Sequence, residues 1–99
     1  MTHFQADDGT RIHLKISGDG DPLVMLHGWT ASHQEWFPFL DGLHPTHRIY
    51  RWDARGHGGH PLVDGAPPTA ARMARDLANL LDHYALKKAA VVGHSMGAL

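Results

Sequence analysis

The sequence predicts an α/β protein whose sheet is mostly parallel and is entered through a β-hairpin. Three observations carry that expectation. Short apolar runs alternate with stretches whose apolar residues recur at helical spacing, an order that builds a sheet covered by helices. Asp8-Gly9 separates the first two extended runs, a strong hairpin turn signal. The last apolar run passes straight into Gly93-His94-Ser95-Met96-Gly97, a glycine-flanked serine at a strand end.

Taken in order, His3 to Ala6 is a short extended run that turns at Asp7-Asp8-Gly9-Thr10. Ile12, Leu14 and Ile16 then alternate with Arg11, His13 and Lys15, as in a half-buried strand. Residues 18–22 form a Gly/Asp/Pro loop. Leu23-Val24-Met25-Leu26 is continuously apolar and suits a strand buried on both faces. Ser32 followed by Glu35 fits a capping box. Behind it, Trp36, Phe37, Leu40 and Leu43 predict a helix that carries Pro38 in its first turns and stops around residues 42–45.

Arg48 to Trp52 is the next strand, followed by a Gly- and His-rich turn over residues 53–60 and a loop from Pro61 to Pro68. Thr69 caps the longest helix, whose stripe is Met73, Leu77, Leu80, Leu81 and Tyr84. Arg72, Arg75 and Asp76 are expected on its solvated face. Ala89 to Val92 is a short buried strand. No internal repeat or low-complexity segment interrupts this order.

With 42% hydrophobic and 19% charged residues and a net charge of −1, the chain has no charge imbalance that would draw it to nucleic acid or an anionic membrane. No run approaches the ~18 apolar residues of a membrane span, and the N-terminus shows no basic-then-apolar signal pattern. A cytoplasmic protein is the expectation. Cysteine is absent, so disulfides are excluded. Ten histidines are many for 99 residues. The His44/His47 and His57/His60 pairs have metal-ligand spacing, but no cysteine or well-placed carboxylate completes a site, so scattered surface and turn histidines are the simpler reading.

A G-x-S-x-G pattern alone is weak evidence. Its chemistry requires a strand before it and a helix after it, because the serine must sit on a sharp turn that lifts its Oγ out of the sheet. Here an apolar strand precedes the motif and Ala98-Leu99 would open a helix. Acyl transfer also needs two backbone N–H donors for the developing oxyanion. One is the amide after the nucleophile, Met96. The other belongs to the loop after Leu23–Leu26, namely His27-Gly28-Trp29-Thr30, where the Trp29 amide is the candidate. The Trp29 ring also reads as packing on the helix that follows, and both roles are compatible. Gly28, Gly93, His94 and Gly97 support the loop and elbow.

Leu26-His27-Gly28-Trp29, Asp53-Ala54-Arg55-Gly56-His57-Gly58 and Gly93-His94-Ser95-Met96-Gly97 together resemble the α/β-hydrolase superfamily, in its single-domain esterase, enol-lactonase, cofactor-free perhydrolase and C–C hydrolase branch. The resemblance covers nearly the whole chain and implies that residues 1–99 are the N-terminal part of one α/β-hydrolase domain. It implies a Ser95 nucleophile, an acyl-enzyme, a small-molecule acyl substrate and no cofactor. Asp53, Arg55 and His57 would shape a turn. His60 departs from the serine often found two residues past that motif. Ser95 argues against the haloalkane dehalogenase and epoxide hydrolase branches, where an aspartate is expected.

The family's order is nucleophile, acid, histidine, so the last two are expected beyond residue 99, with on the order of 90 further residues in three βα units. His27, Asp53 and His57 lie at strand ends and would act as a base only fortuitously. Residues 1–99 alone are therefore not expected to be a competent hydrolase. They would also leave Ala89–Val92 as an apolar sheet edge prone to aggregation. The alternative is a small-molecule-binding protein of the same fold without turnover.

Overall fold

The computed structural model describes residues 2–28, 31–56 and 69–94. The elements in chain order are β1 (Thr2–Gln5), β2 (Arg11–Gly18), β3 (Asp21–Leu26), a 3₁₀ helix (His33–Phe39), α1 (Leu40–Leu43), β4 (His47–Trp52), α2 (Ala70–His83) and β5 (Ala90–Gly93). Five strands make one mixed sheet in the order β1-β2-β4-β3-β5. The hairpin pairs Phe4 with Ile12, and β2 joins β4 antiparallel, Leu14 opposite Trp52. The parallel pairing expected from the alternation lies in β4, β3 and β5, where Val24 stands opposite both Tyr50 and Val91. Gly18 and Gly20 hold positive φ in the β2–β3 turn, and a Cβ at either would collide with the carbonyls of His47 or Thr46.

The apolar run of β3 follows from burial on both faces. Val24 and Leu26 join Phe4, Ile12, Leu14, Tyr50, Trp52, Met73 and Leu80 on the face covered by α2. Leu23 and Met25 join Trp36, Leu40 and Ile49 on the other. The stripe of α2 packs as its periodicity predicts, and Thr69 caps the helix by accepting from the Arg72 N–H at 3.1 Å.

Three expectations are corrected. The helix after Ser32 is a 3₁₀ stretch that becomes only one α turn. Pro38 has no N–H for the helical ladder. Trp36 and Leu40 are buried, while Phe37 is 73% exposed. β5, read as a buried strand, is among the described residues a sheet edge with Val91 46% exposed, which is the edge expected of residues 1–99 alone.

The third correction concerns Asp76, which is fully buried and not solvated. It sits three residues after Met73 and four before Leu80, on the same face of α2. Arg55, in the turn after β4, places Nε 2.8 Å from Asp76 Oδ2 and Nη2 2.8 Å from Oδ1. The same guanidinium reaches Asp8 in the hairpin turn at 2.7 Å. Arg72 also donates to Asp76 and pairs with Asp7, as does the exposed Arg75. Three separate segments are thus tied by one ionic cluster. Burial opposes charge on Arg55, but its bonds to Asp76 and Asp8 outweigh that and raise its pKa. The Arg55 hydrogen bond outweighs desolvation at Asp8 and holds its carboxyl well below the ordinary value of 3.8.

Asp76→Ala removes the fully buried partner of Arg55 Nε and Nη2, leaving Asp8 as its remaining named carboxylate, and is expected to cost about 3–5 kcal/mol in a denaturant titration. The Asp8 contribution has the sign of a depressed carboxylate: complete above the ordinary value, lost as pH falls through the folded one. The stability gap between wild type and Asp8→Asn is therefore expected to be constant near neutrality and to close as pH drops below about 4. Among the described residues no helix is long and apolar enough to cross a membrane.

Candidate active site

Parallel strands β4, β3 and β5 deliver their C-terminal ends to the same side of the sheet. Three loops meet there, through residues 27, 28, 31 and 32 after β3, residues 53–56 after β4, and His94 after β5. Leu26 pairs with Gly93, and the His94 N–H donates to the Leu26 carbonyl at 3.1 Å, extending the ladder by one bond. Of the residues predicted for the site, Gly28, Gly93 and His94 are brought together in this way. Trp29, Ser95, Met96 and Gly97 lie outside the described residues, as do His57, His60 and the 61–68 loop.

His27 is fully buried and joins two of the loops. Its Nε2 accepts from the Ala54 N–H at 3.0 Å, and its Nδ1 lies 2.7 Å from the Gly28 carbonyl, which can only accept. Those partners require a proton on Nδ1 and a lone pair on Nε2, so the imidazole is neutral in this tautomer. The Gly28 carbonyl also accepts from the Ala31 N–H at 3.1 Å.

Asp53, buried at the end of β4, accepts from both the backbone N–H and the Nδ1 of His33 at 2.8 Å. Arg51 Nη1 donates to the His33 carbonyl at 3.2 Å. Burial pushes the Arg51 guanidinium below its ordinary pKa, and the charge of Asp53 opposes that. His27 is thus bonded to backbone groups of two loops, and Asp53 to the backbone and ring of His33. His44 and His47 go to different neighbours, His44 Nε2 to Ser17 Oγ and His47 Nδ1 to Thr46 Oγ1, each at 2.8 Å.

Glu35 departs from the capping box. Ser32 Oγ accepts from the Gln34 N–H at 3.2 Å, but the Glu35 carboxylate does not return to the cap. Oε2 accepts from the Gly28 N–H at 3.2 Å, and Oε1 lies 3.0 Å from His94 Nδ1. Sequence reasoning missed this link, since a Ser-x-x-Glu spacing points to the local partner and nothing in the pattern signals a contact 59 residues away.

A family model for the alpha/beta hydrolase fold matches residues 21–99, and the chain belongs to that family. It is 36% identical over 100 residues to a soluble epoxide hydrolase from Corynebacterium sp. (strain C12), covering 98% of this chain and 34% of that protein. It is 38% identical over 88 residues to a pimeloyl-[acyl-carrier protein] methyl ester esterase from Legionella pneumophila (strain Paris), covering 89% of this chain and 33% of the relative. The structure of an esterase from Exiguobacterium antarcticum superposes with a TM-score of 0.85 at 34% identity, over 97% of this chain and 36% of that one. The chain thus spans about a third of the length of these relatives, which are hydrolases.

His27→Phe removes the acceptor for the buried Ala54 N–H and one donor to Gly28. The expected cost is about 1–3 kcal/mol, measured by denaturant titration.

Proposed function

We propose that the protein is a serine hydrolase acting on an ester, lactone or related acyl bond. Ser95 Oγ attacks the acyl carbon, the bond to the leaving oxygen breaks, and that oxygen takes a proton as it departs. Water then cleaves the acyl-enzyme and restores the serine. The Trp29 and Met96 amides stabilise the oxyanion of both steps. The triad acid and histidine are assigned to sequence following residue 99, in keeping with relatives about three times as long. Residues 1–99 alone then do not turn over substrate, since a serine without an oriented base is a poor nucleophile.

The observation that carries this reading is the convergence of Gly28 and His94. They flank the positions where the second oxyanion donor and the nucleophile belong, and they are tied to one carboxylate. A serine at position 95, and not an aspartate, favours acyl transfer over epoxide opening despite the epoxide hydrolase among the relatives. Fluorophosphonate labelling of the full-length protein tests it, because the probe requires an activated serine. Labelling is expected in the wild type and absent in Ser95→Ala. A probe that binds without reacting in either would make this a binding protein of the same fold.

A further inference from the structure

We propose that Glu35 is the positioning residue of the oxyanion loop, clamping it against the nucleophile elbow through Gly28 and His94. This rests on the serine-hydrolase reading of the same site.

Gly28 is the residue least able to hold its own conformation, since glycine populates both signs of φ with little preference. The peptide that follows it carries the N–H assigned to the oxyanion. In a trans peptide that N–H lies opposite the preceding carbonyl. Its direction therefore depends on the two peptide planes on either side of the Gly28 Cα. The plane after Gly28 is held at its carbonyl by His27 Nδ1 at 2.7 Å and the Ala31 N–H at 3.1 Å. The plane before it is held at the Gly28 N–H by Glu35 Oε2 at 3.2 Å. Both peptide planes that meet at the Gly28 Cα are thus hydrogen-bonded, which restrains the glycine.

The second oxygen of Glu35 sets where that loop sits. His94 Nδ1 lies 3.0 Å from Oε1, while the His94 N–H is fixed to Leu26. One carboxylate thereby couples the loop after β3 to the residue directly before the candidate nucleophile. Occupying the Gly28 N–H also withdraws it as a competing donor, leaving the next amide for the oxyanion.

The link contributes little to stability. The His94 side chain is 63% exposed and that of Glu35 23%, and polar contacts this open contribute little. Geometry is a different matter, because a displacement of about 1 Å in a catalytic group can cost on the order of 100-fold in rate. A residue can thus matter for rate and hardly at all for folding.

The test measures fluorophosphonate labelling of the full-length protein as separate maximal rate and half-saturating concentration, for wild type, Glu35→Ala and Glu35→Gln. Glutamine keeps an oxygen for the Gly28 N–H and offers an N–H to His94 Nδ1. Glu35→Ala is expected to slow the maximal rate by about tenfold or more, with the half-saturating concentration changed less than about threefold and a melting temperature lowered only by the loss of one acceptor for the Gly28 N–H. Glu35→Gln is expected to recover most of the rate. Equal rates in all three proteins would overturn the positioning role and leave the nucleophile assignment standing. A rate loss in Glu35→Ala that tracks a fallen melting temperature and is not rescued by glutamine would overturn it as well. Wild type that fails to label at Ser95 would take down the serine-hydrolase reading, and this proposal with it.

Discussion

Everything near the candidate site depends on β3 being hydrogen-bonded along both edges to parallel neighbours. Parallel pairing fixes which end of each strand carries the loops, so β4, β3 and β5 present theirs at one end of the sheet. Burial on both faces follows from the same placement and explains why Leu23–Leu26 has no polar residue. Moving β3 by one residue would reverse which side chains face α2 and shift Gly28 relative to His94. The ladder is therefore the frame against which the loop contacts have meaning.

Two kinds of polar contact hang on that frame, and their energies differ. The Arg55 cluster sits under α2 with Arg55 and Asp76 fully enclosed. Its charges have left water and must be paired, so loss of one partner is costly even if the pair itself adds little over an apolar substitute. It anchors the turn after β4 to α2 and to the hairpin. The contact between Glu35 and His94 is open to solvent and contributes little to folding. His27 lies between these extremes, an uncharged buried side chain that joins the ends of β3 and β4 through backbone bonds.

Much of the fold was legible because apolar periodicity records burial directly. The stripe of α2, the Thr69 cap, the Asp8-Gly9 turn and the run of β3 each carry a local physical cause. What periodicity could not convey was partnership between distant polar groups. Asp76 reads as surface because charge is normally solvated, yet its place between Met73 and Leu80 puts it on the packed face, where Arg55 meets it. Phe37 reads as core from its apolar character, yet in the Pro38-containing turn it faces solvent beside the buried Trp36. The site was legible in part: Gly28, Gly93 and His94 come together, but Glu35 was assigned to a local cap.

The diversion of Glu35 follows from the same local structure. In the 3₁₀ turn the Glu35 N–H is already bound to the Ser32 carbonyl at 3.0 Å, and the Ser32 hydroxyl is used by Gln34. Neither bond leads the carboxylate back to the cap. Within reach on the other side lies Gly28, whose backbone N–H has moved past the last β3 pairing and needs an acceptor. A proline-containing turn thus frees an acid for the loop it precedes in space, and a glycine whose own backbone would wander acquires an external hold. Structural irregularity in the segment after Ser32 and order at the end of β3 are two consequences of one arrangement.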